Sequence, residues 1–106
     1  MAFAATPPDA EMAAAGMAIA NAEQAQPRGP AADVLSLSRE HYSRAQDAMA
    51  RRKFRDALLL ADEARALADL ALAKARLVSA QSDVDERSAR NAELRRQLLV
   101  LPESQP

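Results

Sequence analysis

From Phe54 to Val100 the chain contains neither proline nor glycine. A run of that length without a breaker has one regular solution, an uninterrupted helix, and at about 1.5 Å per residue it extends on the order of 70 Å. Only Pro102 stops it. The sequence therefore predicts an all-α chain: an antiparallel helical hairpin or three-helix bundle with a long third helix, alanine-rich and coiled-coil-like. Two glycines and three aromatic residues, Phe3, Tyr42 and Phe54, argue against a β-sandwich or barrel, which needs turn glycines and β-formers.

Two shorter segments precede the run. Thr6-Pro7-Pro8-Asp9 reads as a helix start, with a hydroxyl to cap, proline in the first turn and the acids Asp9 and Glu11 at the positive end of the dipole. This helix is expected over about 9–26, with Met12, Ala15, Ile19 and Ala22 on one face. The cluster Gln26-Pro27-Arg28-Gly29-Pro30 is a corner. A second helix is expected over about 30–51, its inner face carrying Leu35, Ser38, Tyr42, Ala45 and Met49, with Glu40/Arg44 and Asp47/Arg51 spaced as i,i+4 pairs. The turn at Arg51-Arg52-Lys53 lacks a breaker and is inferred from the pattern alone. Tyr42, Met49 and Phe54 are the expected packing residues of this hairpin.

In the third segment Ala57, Ala61, Ala64, Ala68, Ala71, Ala75 and Val78 follow 4-3 spacing, a heptad seam with alanine in nearly every knob position. Small knobs allow close helices, and Leu60, Leu67, Leu70 and Leu77 widen the apolar face on which the first two helices are expected to pack. Half of all apolar residues are alanine, so the core is thin and leans on helix propensity. The two shorter helices cannot cover the whole rod, which makes the stretch from about Val78 an overhang. There Leu77, Ala80, Val84, Arg87, Asn91, Leu94, Leu98 and Leu101 keep heptad order with a polar break at Arg87 and Asn91. Polar residues in such a seam fix register or oligomer state, so Val84, Arg87, Asn91, Leu94, Leu98 and Leu101 form the candidate face for a protein partner or for self-association. Asp83/Arg87 and Glu86/Arg90 are further i,i+4 pairs.

Several function classes lose support. A net charge of −1 gives no electrostatic case for nucleic acid. Arg51-Arg52-Lys53, the one basic run, lies between Asp47 and Asp56 without interleaved aromatics. Zero cysteines and one histidine, His41, leave only carboxylates for a metal, and no glycine-rich phosphate loop exists. Asp62-Glu63 and Asp83-Asp85-Glu86 read as solvated faces, since acid–base work needs a desolvated cleft. Neither an enzyme nor a cofactor is expected. The longest apolar stretch, Met12 to Ala20, is far short of the ~20 residues of a membrane span.

Lys53-Phe54-Arg55-Asp56-Ala57-Leu58, followed by Ala61 and Ala64, resembles the start of the second helix of a tetratricopeptide repeat, with Arg52 where that repeat usually has glycine. No second copy appears at a spacing of about 34 residues. A longer likeness covers about Ala10 to Ala80, through Pro30-Ala31-Ala32-Asp33-Val34-Leu35, Tyr42-Ser43-Arg44-Ala45-Gln46-Asp47-Ala48, Phe54-Arg55-Asp56-Ala57-Leu58 and Ala61-Asp62-Glu63-Ala64. It resembles the domain-of-unknown-function 4398 family, bacterial envelope domains usually found in lipoproteins and sometimes fused to a peptidoglycan-binding OmpA-like domain.

The resemblance implies a periplasmic, outer-membrane-associated helical domain that meets the membrane only through an N-terminal lipid anchor, whose cysteine this sequence lacks. Residues 1–8 are then expected to be a linker after a removed targeting segment, 9–101 one helical domain, and 102–106 a disordered tail. The expected function is a non-enzymatic envelope module acting by protein–protein interaction or self-association. The alternative is a cytoplasmic tetratricopeptide-like adaptor that binds a peptide or partner protein.

Overall fold

The computed structural model describes residues 6–100. They form three helices: α1 over Asp9–Gln24, α2 over Pro30–Ala50 and α3 over Phe54–Val100, with no strand among the described residues. The fold is all-α with a long third helix. Residues 1–5 of the expected linker, the 102–106 tail and Leu101 of the candidate face lie outside the described residues. The chain divides into two units, Met1–Arg76 and Leu77–Pro106.

The first unit is an up-down-up arrangement. Its chain reversals follow from backbone chemistry at four residues. α1 opens without a side-chain cap: the Thr6 hydroxyl does not serve, and the Pro8 carbonyl accepts the Met12 amide at 2.9 Å while Pro8 itself occupies the cap position. The sequence reading of Thr6 as a cap is thereby corrected; two prolines leave fewer amides at that end in need of one. α1 ends at Gln24 rather than at 26, because Gln26 turns left-handed at φ 50° and donates to the Glu23 carbonyl at 3.0 Å. Pro27 follows and has no amide to complete the second closing bond. Gly29, at φ 59° and ψ −131°, sits in a region open to glycine alone and launches α2 with Pro30 in its first turn.

The turn between α2 and α3 is a complete Schellman motif. Lys53 donates to the Ala48 carbonyl at 2.8 Å, Arg52 donates to Met49 at 3.0 Å, and Arg52 stands at φ 60°. A position that favours glycine is thus held by arginine.

Two clusters make up the core. Ala18, Ile19 and Ala22 of α1 meet Leu35 of α2 and Ala68 and Ala71 of α3; Ala15, Ala45, Ala61 and Ala64 form the second. Ile19 and Leu35 are the only large apolar side chains that are buried among the described residues, each worth about 1.5–3 kcal/mol. The rest of the buried set is almost entirely alanine, whose value lies in helix propensity and in letting backbones approach.

In α3 the buried positions are Ala57, Ala61, Ala64, Ala68 and Ala71, in 4-3-4-3 order. The seam stops short of its expected length: Ala75 is half-buried and Val78 is 62% exposed. Leu35 packs at the level of Ala68 and Ala71, and α2 begins only five residues earlier, at Pro30, so cover is exhausted there. Leu70 and Leu77 are likewise exposed rather than part of the packed face, whereas Leu60 and Leu67 are half-buried.

In the second unit, every described residue is exposed.

Candidate interaction surface

Tyr42 is the pivot of the first unit. Its half-buried ring packs against both core clusters, and its hydroxyl lies 3.1 Å from where a β-carbon on Gly16 would stand. Glycine at that point of α1 lets the helices close over the phenol. Ser38, one turn before it on α2, is fully buried and donates to the Ala64 carbonyl of α3. From sequence Ser38 reads only as a residue of the inner face, since the bond depends on the Ala64 carbonyl of α3 lying opposite. Met49 and Phe54 are half-buried on either side of the α2–α3 turn.

Shallow depressions lie on the first unit. One depression, of about 430 Å³, is shallow and mixes Arg44, Arg51 and Lys53 with Asp47, Asp56 and Glu63. A second, of about 390 Å³, lies beside Phe54 and Leu58 under Pro7 and Pro8. His41 places Nδ1 2.9 Å from the Leu37 carbonyl and Nε2 3.2 Å from Glu63, linking α2 to α3. Among the described residues no three His, Cys, Asp or Glu side chains are grouped to hold a metal ion, and no helix is long and apolar enough to cross a membrane.

Surface ion pairs are sparse. Asp47–Arg51 closes at 3.3 Å, as its i,i+4 spacing predicts, and Glu23–Arg39 links α1 to α2 at 3.5 Å. Glu40/Arg44, Asp83/Arg87 and Glu86/Arg90 do not come within 4.0 Å, a small energetic loss for exposed residues. Along the second unit the pairs that form are Gln81–Asp85 at 3.1 Å and Glu93–Arg96 at 3.3 Å.

The candidate face on α3 is open along its described length. Val84 is 56% exposed, Leu94 51% and Leu98 64%, with Arg87 and Asn91 exposed between them. Leu99 and Val100 are also exposed but lie off the heptad seam. In a run of helix, Val84, Leu94 and Leu98 share one stripe, so this is a single elongated surface rather than scattered apolar residues.

Residues 10–87 match the family described as Domain of unknown function (DUF4398), and the chain belongs to that family. The match takes in the whole three-helix unit apart from its first residues, and the beginning of the second unit. Nothing matches among curated proteins or among solved structures.

Proposed function

We propose that this chain is a non-enzymatic helical module of the bacterial envelope, which works by holding another protein against the exposed stripe of α3. The observation that carries the reading is the stripe itself: Val84, Leu94 and Leu98 are each more than half exposed on a regular helix. Apolar side chains at heptad spacing in water are the signature of a helix that pairs. The first unit has a different task. It satisfies its own core with alanine, and the depression beside the α2–α3 turn is shallow and charge-mixed, which suits a mount rather than a catalyst. Asp62, Glu63, Asp83, Asp85 and Glu86 are exposed residues rather than the lining of a closed cleft. The envelope setting, and a lipid tether in the native protein, rest on the resemblance to envelope lipoproteins.

The test is made in cells that express the intact gene product. A photoreactive residue in place of Leu94 or Leu98 is expected to yield covalent protein adducts in the envelope fraction, while one at exposed Glu40 on α2 yields none. Absence of adducts at both α3 positions overturns the interaction reading; recovery of the chain in the cytoplasmic fraction overturns the envelope setting and favours the adaptor alternative.

A further inference from the structure

We infer that the occupant of the α3 stripe is a second copy of this chain, aligned antiparallel with its dyad near Ala89; this rests on the interaction reading above and commits it to one partner. With Leu77 at heptad position a, the seam reads a-Leu77, d-Ala80, a-Val84, d-Arg87, a-Asn91, d-Leu94, a-Leu98. In an antiparallel pair an a layer faces a d layer of the other copy. The alignment centred on residue 89 sets Ala80 against Leu98, Val84 against Leu94, and Arg87 against Asn91. Each apolar residue then meets an apolar one, and a small side chain faces a large one at each end. The two polar positions meet each other in the middle, where the Arg87 guanidinium donates to the Asn91 side-chain carbonyl. A polar layer fixes register, because sliding by one heptad puts Arg87 against Leu98 or Val84.

The rim forms no opposite-charge pair in this alignment, so charge enters only through the ends of the helices. Asp83, Asp85 and Glu86 precede the segment that holds Arg90, Arg95 and Arg96, with Glu93 between them. Antiparallel pairing brings the acidic end of one helix to the mainly basic end of the other, and the rim sets Gln81 beside Arg95 and Asp83 beside Gln97. One like-charge contact remains, Arg90 beside its own copy at the solvated rim, where screening makes it weak. A parallel, in-register pair also sets apolar on apolar, but it is worse at its charged positions. It stacks Arg87 on Arg87 inside the seam and sets Arg90 beside Arg95 on both sides.

The chain has no cysteine, so introduced thiols report register without interference. Val84→Cys and Leu94→Cys chains are purified separately, mixed, and oxidised under mild conditions. Both positions are exposed, so neither substitution disturbs the core, and circular dichroism checks the helical fold. Expected are a two-chain mass by light scattering for the unmodified protein, and a mixed 84–94 disulfide in large excess over the 84–84 and 94–94 products. Leu94→Asp is expected to raise the dissociation constant by about tenfold or more, since it removes an apolar layer from the seam. Dominance of the 84–84 and 94–94 products overturns the antiparallel register. A single-chain mass at high concentration overturns the second copy as occupant, and the in-cell adducts then decide separately whether a different protein takes its place.

Discussion

The Ser38 hydroxyl donates to the Ala64 carbonyl, joining α2 to α3 at a point where both residues are fully buried. By helix geometry the same carbonyl already accepts the Ala68 amide, so the serine adds a second bond rather than rescuing an orphan. Ser38→Ala is therefore expected to cost only about 1 kcal/mol, the net worth of one hydrogen bond. Ser38→Val adds carbon bulk against the alanine seam and should cost more, about 1–3 kcal/mol. Urea midpoints at constant m-value measure both, and equal losses for the two variants would show that the seam has room to spare.

Gly16 and Tyr42 set up a double-mutant cycle. Glycine inside α1 forgoes about 1 kcal/mol of helix propensity relative to alanine, yet a β-carbon there would lie 3.1 Å from the phenol oxygen. Gly16→Ala alone should leave stability nearly unchanged, as the two effects oppose each other. In a Tyr42→Phe background the nearest ring atom is 3.6 Å away, an ordinary contact, and the same substitution should stabilise by about 1 kcal/mol. The difference between the two legs, read from thermal or urea unfolding, is the steric coupling; equal effects in both backgrounds would place the helices farther apart.

What the sequence makes legible here is whatever depends on local rules. The absence of proline and glycine across α3 dictates its continuity, and Pro27-Arg28-Gly29-Pro30 dictates the corner before α2. The alanine positions Ala57 to Ala71 announce the seam because 4-3 spacing is a property of the helix itself. Properties that depend on three-dimensional neighbours are less visible. The end of the seam at Ala71 is set by where α2 begins in space, which no spacing within α3 records. Gly16 reads as an odd glycine in a helix until Tyr42 is seen opposite. The i,i+4 rule makes Asp83/Arg87 and Glu86/Arg90 equal candidates with Asp47/Arg51, and the worth of exposed pairs is too small to decide which ones close.

Arg52 offers a gain rather than a loss. At φ 60° an L-residue carries a strain of about 1–2 kcal/mol that glycine escapes, and its amide bond to the Met49 carbonyl is kept by any residue but proline. Arg52→Gly is expected to stabilise the first unit by about 1 kcal/mol after the extra entropy of glycine in the unfolded chain is subtracted. Arg52→Ala, which keeps the strain, should give no such gain and serves as the control. The converse holds at Gly29: its φ and ψ exclude a side chain although nothing stands within 4 Å, so Gly29→Ala should cost about 1–3 kcal/mol from backbone strain alone. Similar melting curves for all three variants would mean that both turns relax without consequence.

A chain ending at Arg76 tests whether the two units depend on each other. Among the described residues every buried one lies at or before Ala71, so the core clusters keep all their members on truncation. The new end of α3 is also electrostatically favourable, since Lys74 and Arg76 fall in the last turn, beside the negative end of the helix dipole. Every described residue of the removed stretch is exposed, and helix without tertiary burial contributes little to cooperative unfolding. The truncated chain should therefore unfold in one transition within about 5 °C of the full chain when both are dilute, a shift of roughly 1 kcal/mol for a domain of this size. At high concentration the full chain, but not the truncated one, should gain thermal stability, because only the former carries Val84, Leu94 and Leu98 to associate. A large loss of stability in dilute solution would make the distal helix part of the fold rather than an interaction arm, and a melting point independent of concentration in the full chain would remove the thermodynamic basis for its pairing.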